Sequence, residues 1–316
     1  MKNGFDLIRE NNLNELVLCL KYCDINMRDE NQNSLLHYAV KFNNFEAAEL
    51  LIINQINVDL VDKNKETPLH LAARMDKLNF VKLLIINCAD VNSLNRHLKS
   101  PLFYACLKGN IFLVKLFLEY QAKINLIDSD DENILFNAVR SLNIELVDFL
   151  LNFSELKIQS KNYRQETLLH IAAKNNNLKM CEYLIKKNLK VYLIDNNGKT
   201  PLFNAVKYGD LNLVRFLVYY GAVVEQKDKT GKTLIETAYE CQKKEIVDFF
   251  INIDLNSRYV NYRETYKIHY YLKTLNVKDA LRLYTFKNLY PSIDCYNYTL
   301  EEISRDLNLN EFIKRL

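Results

Sequence analysis

Catalysis needs side chains that move protons, attack carbon or hold an ion, and this chain of 316 residues offers few candidates. Histidine, which titrates nearest to neutral pH, is the first of them. Of the five, His37, His70, His170 and His269 stand 33, 100 and 99 residues apart, close to multiples of 33. That spacing spreads the rings along the chain instead of converging them on one substrate. His97 stands apart from the series and reads as a solvated loop residue. Gly198-Lys199-Thr200 and Gly231-Lys232-Thr233 imitate the end of a phosphate-binding loop, but Leu193 and Gln226 occupy the place where that loop needs a further Gly. The densest acidic run, Asp128, Asp130, Asp131 and Glu132, lacks the Gly and the bidentate Glu of a calcium loop and reads as a solvated acidic tip. Cys19 and Cys23 lie four apart with no second Cys or His pair to complete a zinc site, and Cys106 beside Ala105 reads as buried packing. No catalytic residue, metal ligand or cofactor site is nominated, and neither an enzyme nor a small-molecule substrate is expected.

Composition agrees with a folded chain: 49% hydrophobic and 26% charged residues, with six Gly and four Pro. The net charge of +3 is too mild to argue nucleic-acid binding. The segment from Thr299 imitates a DNA-binding helix pair, yet its second helix is short for a major groove, and 254–316 carries ten Lys/Arg against eight Asp/Glu. No apolar run reaches the roughly 18 residues of a membrane span, and Met1 to Cys23 has no signal-peptide core. Seven scattered cysteines, an odd number, suit a reducing compartment. The expectation is a cytoplasmic monomer that binds neither membrane nor nucleic acid.

What positions the spaced histidines is a repeat. Thr67-Pro68-Leu69-His70-Leu71-Ala72-Ala73 is echoed by Ser100-Pro101-Leu102-Phe103-Tyr104-Ala105, and further echoes start at Ser34, Asn133, Thr167, Thr200 and Thr233. Successive starts are 33, 33, 33, 34, 33 and 33 residues apart. A Ser or Thr at the start suits a helix N-cap, and Pro next to it suits the first helical position. Ala39, Ala72, Ala105, Ala138, Ala172, Ala205 and Ala238 share one register, where small size lets helices approach. Five places before each start stands Asp or Asn: Asp29, Asp62, Asn95, Asp128, Asn162, Asp195 and Asp228, continuing to Asn261 and Asp294. Such a residue can hydrogen-bond its own backbone in a turn.

This pattern resembles the ankyrin repeat, a turn followed by T-P-L-H-x-A and two antiparallel helices. Leu78-Asn79-Phe80-Val81-Lys82-Leu83-Leu84 fits the second helix, and Ala89-Asp90-Val91-Asn92 fits the loop after it. The resemblance implies an all-α solenoid of stacked helix-turn-helix units with protruding β-turn or hairpin fingers. Residues 1–33 read as an N-terminal capping unit and 34–253 as seven repeats. Residues 254–316 read as two degenerate units, the last a cap, on the register that carries His269 and the C-terminal tyrosines. One departure stands out. The turn Gly two places before each start is present only as Gly198 and Gly231, with Gln32, Lys65, Leu98, Asp131 and Gln165 elsewhere. Either a left-handed turn is kept at a cost of about 1 kcal/mol per residue, or the turn has another shape.

The resemblance also implies a function: protein–protein recognition through the fingers and first helices, without catalysis. Seven places after each start, continuing to the degenerate unit, come Lys41, Arg74, Leu107, Arg140, Lys174, Lys207, Glu240 and Lys273, six of the eight basic. Stacked at one register they would form a positive stripe for an acidic partner, although a cation at a helix C-terminus also complements the helix dipole. Arg96 belongs to a basic finger. Phe42, Met75, Leu107, Tyr163 and Tyr208 interrupt the polarity as candidate anchors. The expected surface therefore comprises Lys41, Phe42, Arg74, Met75, Arg96, Leu107, Arg140, Tyr163, Lys174, Lys207 and Tyr208, and its ligand is a protein or peptide. An exported bacterial effector or viral host-interaction protein would share the fold. An enzyme would have to hide its site in 254–316.

Overall fold

The computed structural model describes residues 3–252; the two units expected over 254–316, with His269 and the C-terminal tyrosines, lie outside the described residues. The chain divides into two compact units, Met1–Asn196 and Asn197–Leu316. In the first, α1 (Gly4–Arg9) and α2 (Leu13–Leu20) precede five helix pairs. These are α3 (Leu35–Phe42) with α4 (Phe45–Ile53), α5 (Pro68–Arg74) with α6 (Leu78–Ile86), α7 (Pro101–Lys108) with α8 (Ile111–Glu119), α9 (Ile134–Arg140) with α10 (Ile144–Leu150), and α11 (Leu168–Lys174) with α12 (Leu178–Lys186). The second unit contributes α13 (Pro201–Tyr208) with α14 (Leu211–Tyr219), and α15 (Leu234–Glu240) with α16 (Lys244–Asn252).

Each of the seven sequence starts is the N-cap of a first helix. Within the first unit, α1, α3, α5, α7, α9 and α11 stack in series, and α13 stacks on α15 in the second. All seven register alanines are completely buried, so the close approach of first helices rests on their lack of side-chain bulk. The second helices fill the layer behind with Leu51, Leu84, Phe117, Leu150, Leu184 and Leu217, again with no exposed surface. Helices of six to nine residues are too short to persist alone in water, so this stacking is what stabilises them.

The fingers form as their acids and amides predict. Oδ1 of Asp29, Asp62, Asn95, Asp128, Asn162 and Asp228 accepts the backbone N–H groups two and four residues later, at 2.7–3.0 Å. The left-handed turn is kept whether or not Gly is present: φ is +64° at Gln32, +58° at Lys65, +56° at Leu98, +56° at Asp131 and +60° at Gln165, against +74° at Gly198 and +83° at Gly231. Stacking overrides the local preference. In the first unit, the N–H groups of Lys63, Arg96, Ser129, Tyr163 and Asn196 each donate to a carbonyl of the preceding finger, at 2.8–3.0 Å.

Two of the expected caps depart from the pattern. Ser100 and Thr200 make no side-chain cap bond, and their buried hydroxyls have no partner among the described residues. Both are followed three residues later by phenylalanine where the other Ser/Thr starts have His or Glu, and a phenyl ring accepts no hydrogen bond from the capping hydroxyl.

Candidate partner-binding surface

Among the described residues, the repeated histidines His37, His70 and His170 are bonded within the scaffold. Nδ1 of His37 and His70 accepts the N–H of Ser34 and Thr67 at 3.1 Å and meets their hydroxyls at 2.8 and 2.9 Å. Nε2 lies 3.0 Å from the carbonyl of Glu66 or Lys99 in the next finger. A carbonyl only accepts, so Nε2 carries the proton and Nδ1 is the acceptor. Burial pushes both imidazoles below their ordinary pKa, and neighbouring carbonyls and carboxylates do not outweigh it. His170 repeats the Nδ1 contacts to Thr167. His97 is exposed on its finger. Cys106 is buried, which raises its thiol pKa well above the usual range.

The candidate surface stands where the first helices end against the fingers. Phe42, Met75, Leu107, Tyr163 and Tyr208 are 39–45% exposed, high for large apolar and aromatic side chains. Lys41, Arg74, Arg96, Lys174 and Lys207 are exposed too, whereas Arg140 is half-buried. The first unit carries all of these except Lys207 and Tyr208, which lie together in the second, the ammonium 5.1 Å from the ring centre. Lys41 sits 6.0 Å from the Tyr38 ring and 5.6 Å from that of Phe42.

Charges on this surface are more balanced than a count of cations suggests. Arg74 Nη2 lies 3.1 Å from Glu66 Oε2, and Arg140 holds both oxygens of Glu132 at 2.5 and 2.6 Å. Burial alone would raise the Glu132 pKa. The hydrogen bonds and charge of Arg140, with a bond from Asn162, hold it below the usual carboxylate range instead. In the second unit Lys232 pairs with Glu240 at the same spacing of eight, with the signs exchanged. Sequence reasoning missed these pairs. The signal was the recurrence of that spacing in Glu66/Arg74, Glu132/Arg140 and Glu166/Lys174.

The acidic tip expected at 128–132 is corrected in part. Asp130 and Asp131 are exposed, but Asp128 and Glu132 are only 2% and 4% exposed. Asp128 caps its own turn and lies 3.2 Å from Lys99 of the preceding finger, while Glu132 clamps Arg140. Both are internal counter-charges.

A second polar device links neighbouring repeats. Tyr104 donates to Glu66 Oε1 at 2.5 Å and accepts from Asn95 Nδ2 at 2.9 Å. Tyr38, four residues after its own start as Tyr104 is, donates to Asp29 Oδ2 at 3.0 Å. The intervening repeat has Leu71 at that register, and there an open pocket of about 390 Å³ lies between the first two repeats. Among the described residues, no group of three or more His, Cys, Asp or Glu side chains is placed to hold a metal ion. No described helix is long and apolar enough to cross a membrane.

A family model described as ankyrin repeats (three copies) matches residues 6–95, 84–162, 135–228 and 169–259. Among solved structures, the crystal structure of the human ASB11 ankyrin repeat domain is similar, with 25% sequence identity and a TM-score of 0.60. The match covers 69% of this chain and 97% of that one. No curated protein matches the chain in sequence.

Proposed function

Because the chain belongs to the ankyrin repeat family, whose repeats are generally protein–protein interaction modules, we propose that it recognises a partner polypeptide on its fingers and first-helix ends, without catalysis. The observation that carries this is the set of exposed anchors Phe42, Met75, Leu107 and Tyr163 on the first unit. Apolar or aromatic groups held on a polar frame are the usual centres of binding energy. The frame is preformed: finger-to-finger hydrogen bonds and the Arg74 and Arg140 ion pairs exist without a partner, which limits the ordering cost of association. The same pairs refine the charge reading. Arg74 and Arg140 already answer carboxylates of their own fingers, so an acidic group of the partner would be met first at Lys41 or Arg96. The preferred partner is therefore a segment with apolar anchors and a modest acidic share.

A photo-crosslinking amino acid placed at Met75 or Leu107 should capture one partner from source-cell lysate. The same group at Phe112 on the second-helix side, itself 76% exposed, should not. Capture from Phe112 alone would put the binding face on the wrong side.

A further inference from the structure

The pocket between the first two repeats has a counterpart one repeat further on, and there the counterpart is full. Around Tyr104 stand Glu66 from the finger before, His70 packed edge-on with ring centres 6.2 Å apart, and Asn95 from its own finger. One repeat earlier the corresponding residues are Asn33, His37 and Asp62, and all three line the pocket with Leu71. The amide and the acid have exchanged places, and the side chain that should lie between them stops at an isobutyl group.

The acid in the pocket also leaves one oxygen available to an incoming group. Asp62 Oδ1 accepts the Asn64 and Glu66 amides, but its other oxygen accepts no hydrogen bond from any described residue. In other fingers the second atom is engaged: Asp29 Oδ2 takes the Tyr38 hydroxyl, Asn95 Nδ2 donates to Tyr104, and Asn162 Nδ2 donates to Glu132 and Glu166. We propose that this pocket receives a tyrosine side chain of the partner, its hydroxyl donating to Asp62 and its ring resting on His37, Leu71 and Met75. The assignment rests on the binding surface proposed above and names what that surface reads.

Two features select tyrosine over other donors. The charged groups of the pocket, Lys41 and Arg74 against Asp62 and Glu66, balance one another, so a neutral phenol enters at less desolvation cost than a lysine, arginine or phosphate head, and it offers Lys41 a ring face. The volume falls within the roughly 300–1,000 Å³ of sites that hold small ligands.

The test uses the full chain labelled with ¹⁵N and titrated with N-acetyltyrosinamide. Amide shifts should saturate around Asp62, Glu66, Leu71 and Met75, and N-acetylphenylalaninamide should bind roughly tenfold more weakly for want of the hydroxyl. The O-phosphorylated probe should also bind more weakly. Asp62→Asn keeps the finger, as Asn95 and Asn162 do at the same register, and should weaken the tyrosine probe only in part, because the introduced amide can donate to the phenol as Asn95 does to Tyr104. Leu71→Tyr should fill the pocket from within, abolish probe binding and raise the melting temperature. Equal binding of the tyrosine and phenylalanine probes, tighter binding of the phosphorylated probe, or unchanged binding to Leu71→Tyr would each overturn the assignment. Crosslinks at Met75 and Leu107 without tyrosine discrimination would leave the surface standing and remove the tyrosine. Discrimination without crosslinks would support the pocket and count against the wider surface.

Discussion

The repeats join in two chemically different ways. At the junctions beginning with Ser34 and Thr67 a buried histidine links the start of its own helix to the next finger by hydrogen bonds at both ring nitrogens. At the repeat beginning with Ser100 the same position is Phe103, which is 1% exposed and makes no polar link, and the Ser100 hydroxyl has no partner among the described residues. The backbone at the two kinds of start is almost the same, with Thr67 at φ −83°, ψ 165° and Ser100 at φ −85°, ψ 167°. One helix start is thus held either by a directional polar relay or by apolar volume. At these two starts the recurring histidine is a structural link between helix and finger.

The largest expected effect falls on the apolar junction. Phe103→Ala removes a fully packed ring and should cost about 3–5 kcal/mol. His70→Phe keeps the volume but strands the Thr67 hydroxyl and the Lys99 carbonyl, for about 1–3 kcal/mol. Urea denaturation of both variants ranks the two devices. A greater loss for His70→Phe would mean that the relay, not burial, dominates.

Acidification should separate the junctions further. The folded pKa values of His37 and His70 lie below the ordinary 6.5 because burial disfavours the imidazolium. Above about pH 6.5 both states are neutral and the relay contributes in full. As pH falls through that value the unfolded chain takes up protons that the folded rings refuse, so stability declines towards the depressed folded pKa. Melting temperature should therefore drop between about pH 7.5 and pH 5 more steeply in the wild type than in the double variant His37→Phe/His70→Phe. Equal slopes would assign the acid sensitivity to other groups.

Much of this fold was legible before any coordinates, because the signals are local. The seven N-caps coincide with the seven starts, and six of the finger acids and amides bond their own backbone as their type and place require. What the sequence concealed depends on neighbours. Asp128 and Glu132 read as solvated because their cations are elsewhere, Lys99 in the previous finger and Arg140 a helix away. Five candidate anchors are exposed, but the pocket beside Met75 depends on a side chain that is too short: Leu71 stands where the neighbouring repeats carry Tyr38 and Tyr104.

The finger turns give the smallest effect and the closest test of how far stacking governs local preference. Leu98 holds φ +56° where Gly198 holds +74°, and an L-residue there costs about 1–2 kcal/mol. Glycine would recover that strain but lose about 0.5–1 kcal/mol to its freer unfolded chain. Leu98 is half exposed and gives up little packing when removed. Leu98→Gly should therefore stabilise the protein by about 0.5–1 kcal/mol by these opposing terms, measured as a raised urea midpoint at unchanged slope. Gly109→Ala supplies the opposite sign: φ is +72° and an added Cβ would come within 3.0 Å of Ser141 Oγ. If Leu98→Gly is neutral while Gly109→Ala destabilises, the row of finger hydrogen bonds absorbs the turn strain that the helix-end turn at Gly109 does not. Glycine would then be dispensable in these fingers only where a neighbouring finger supplies the missing support.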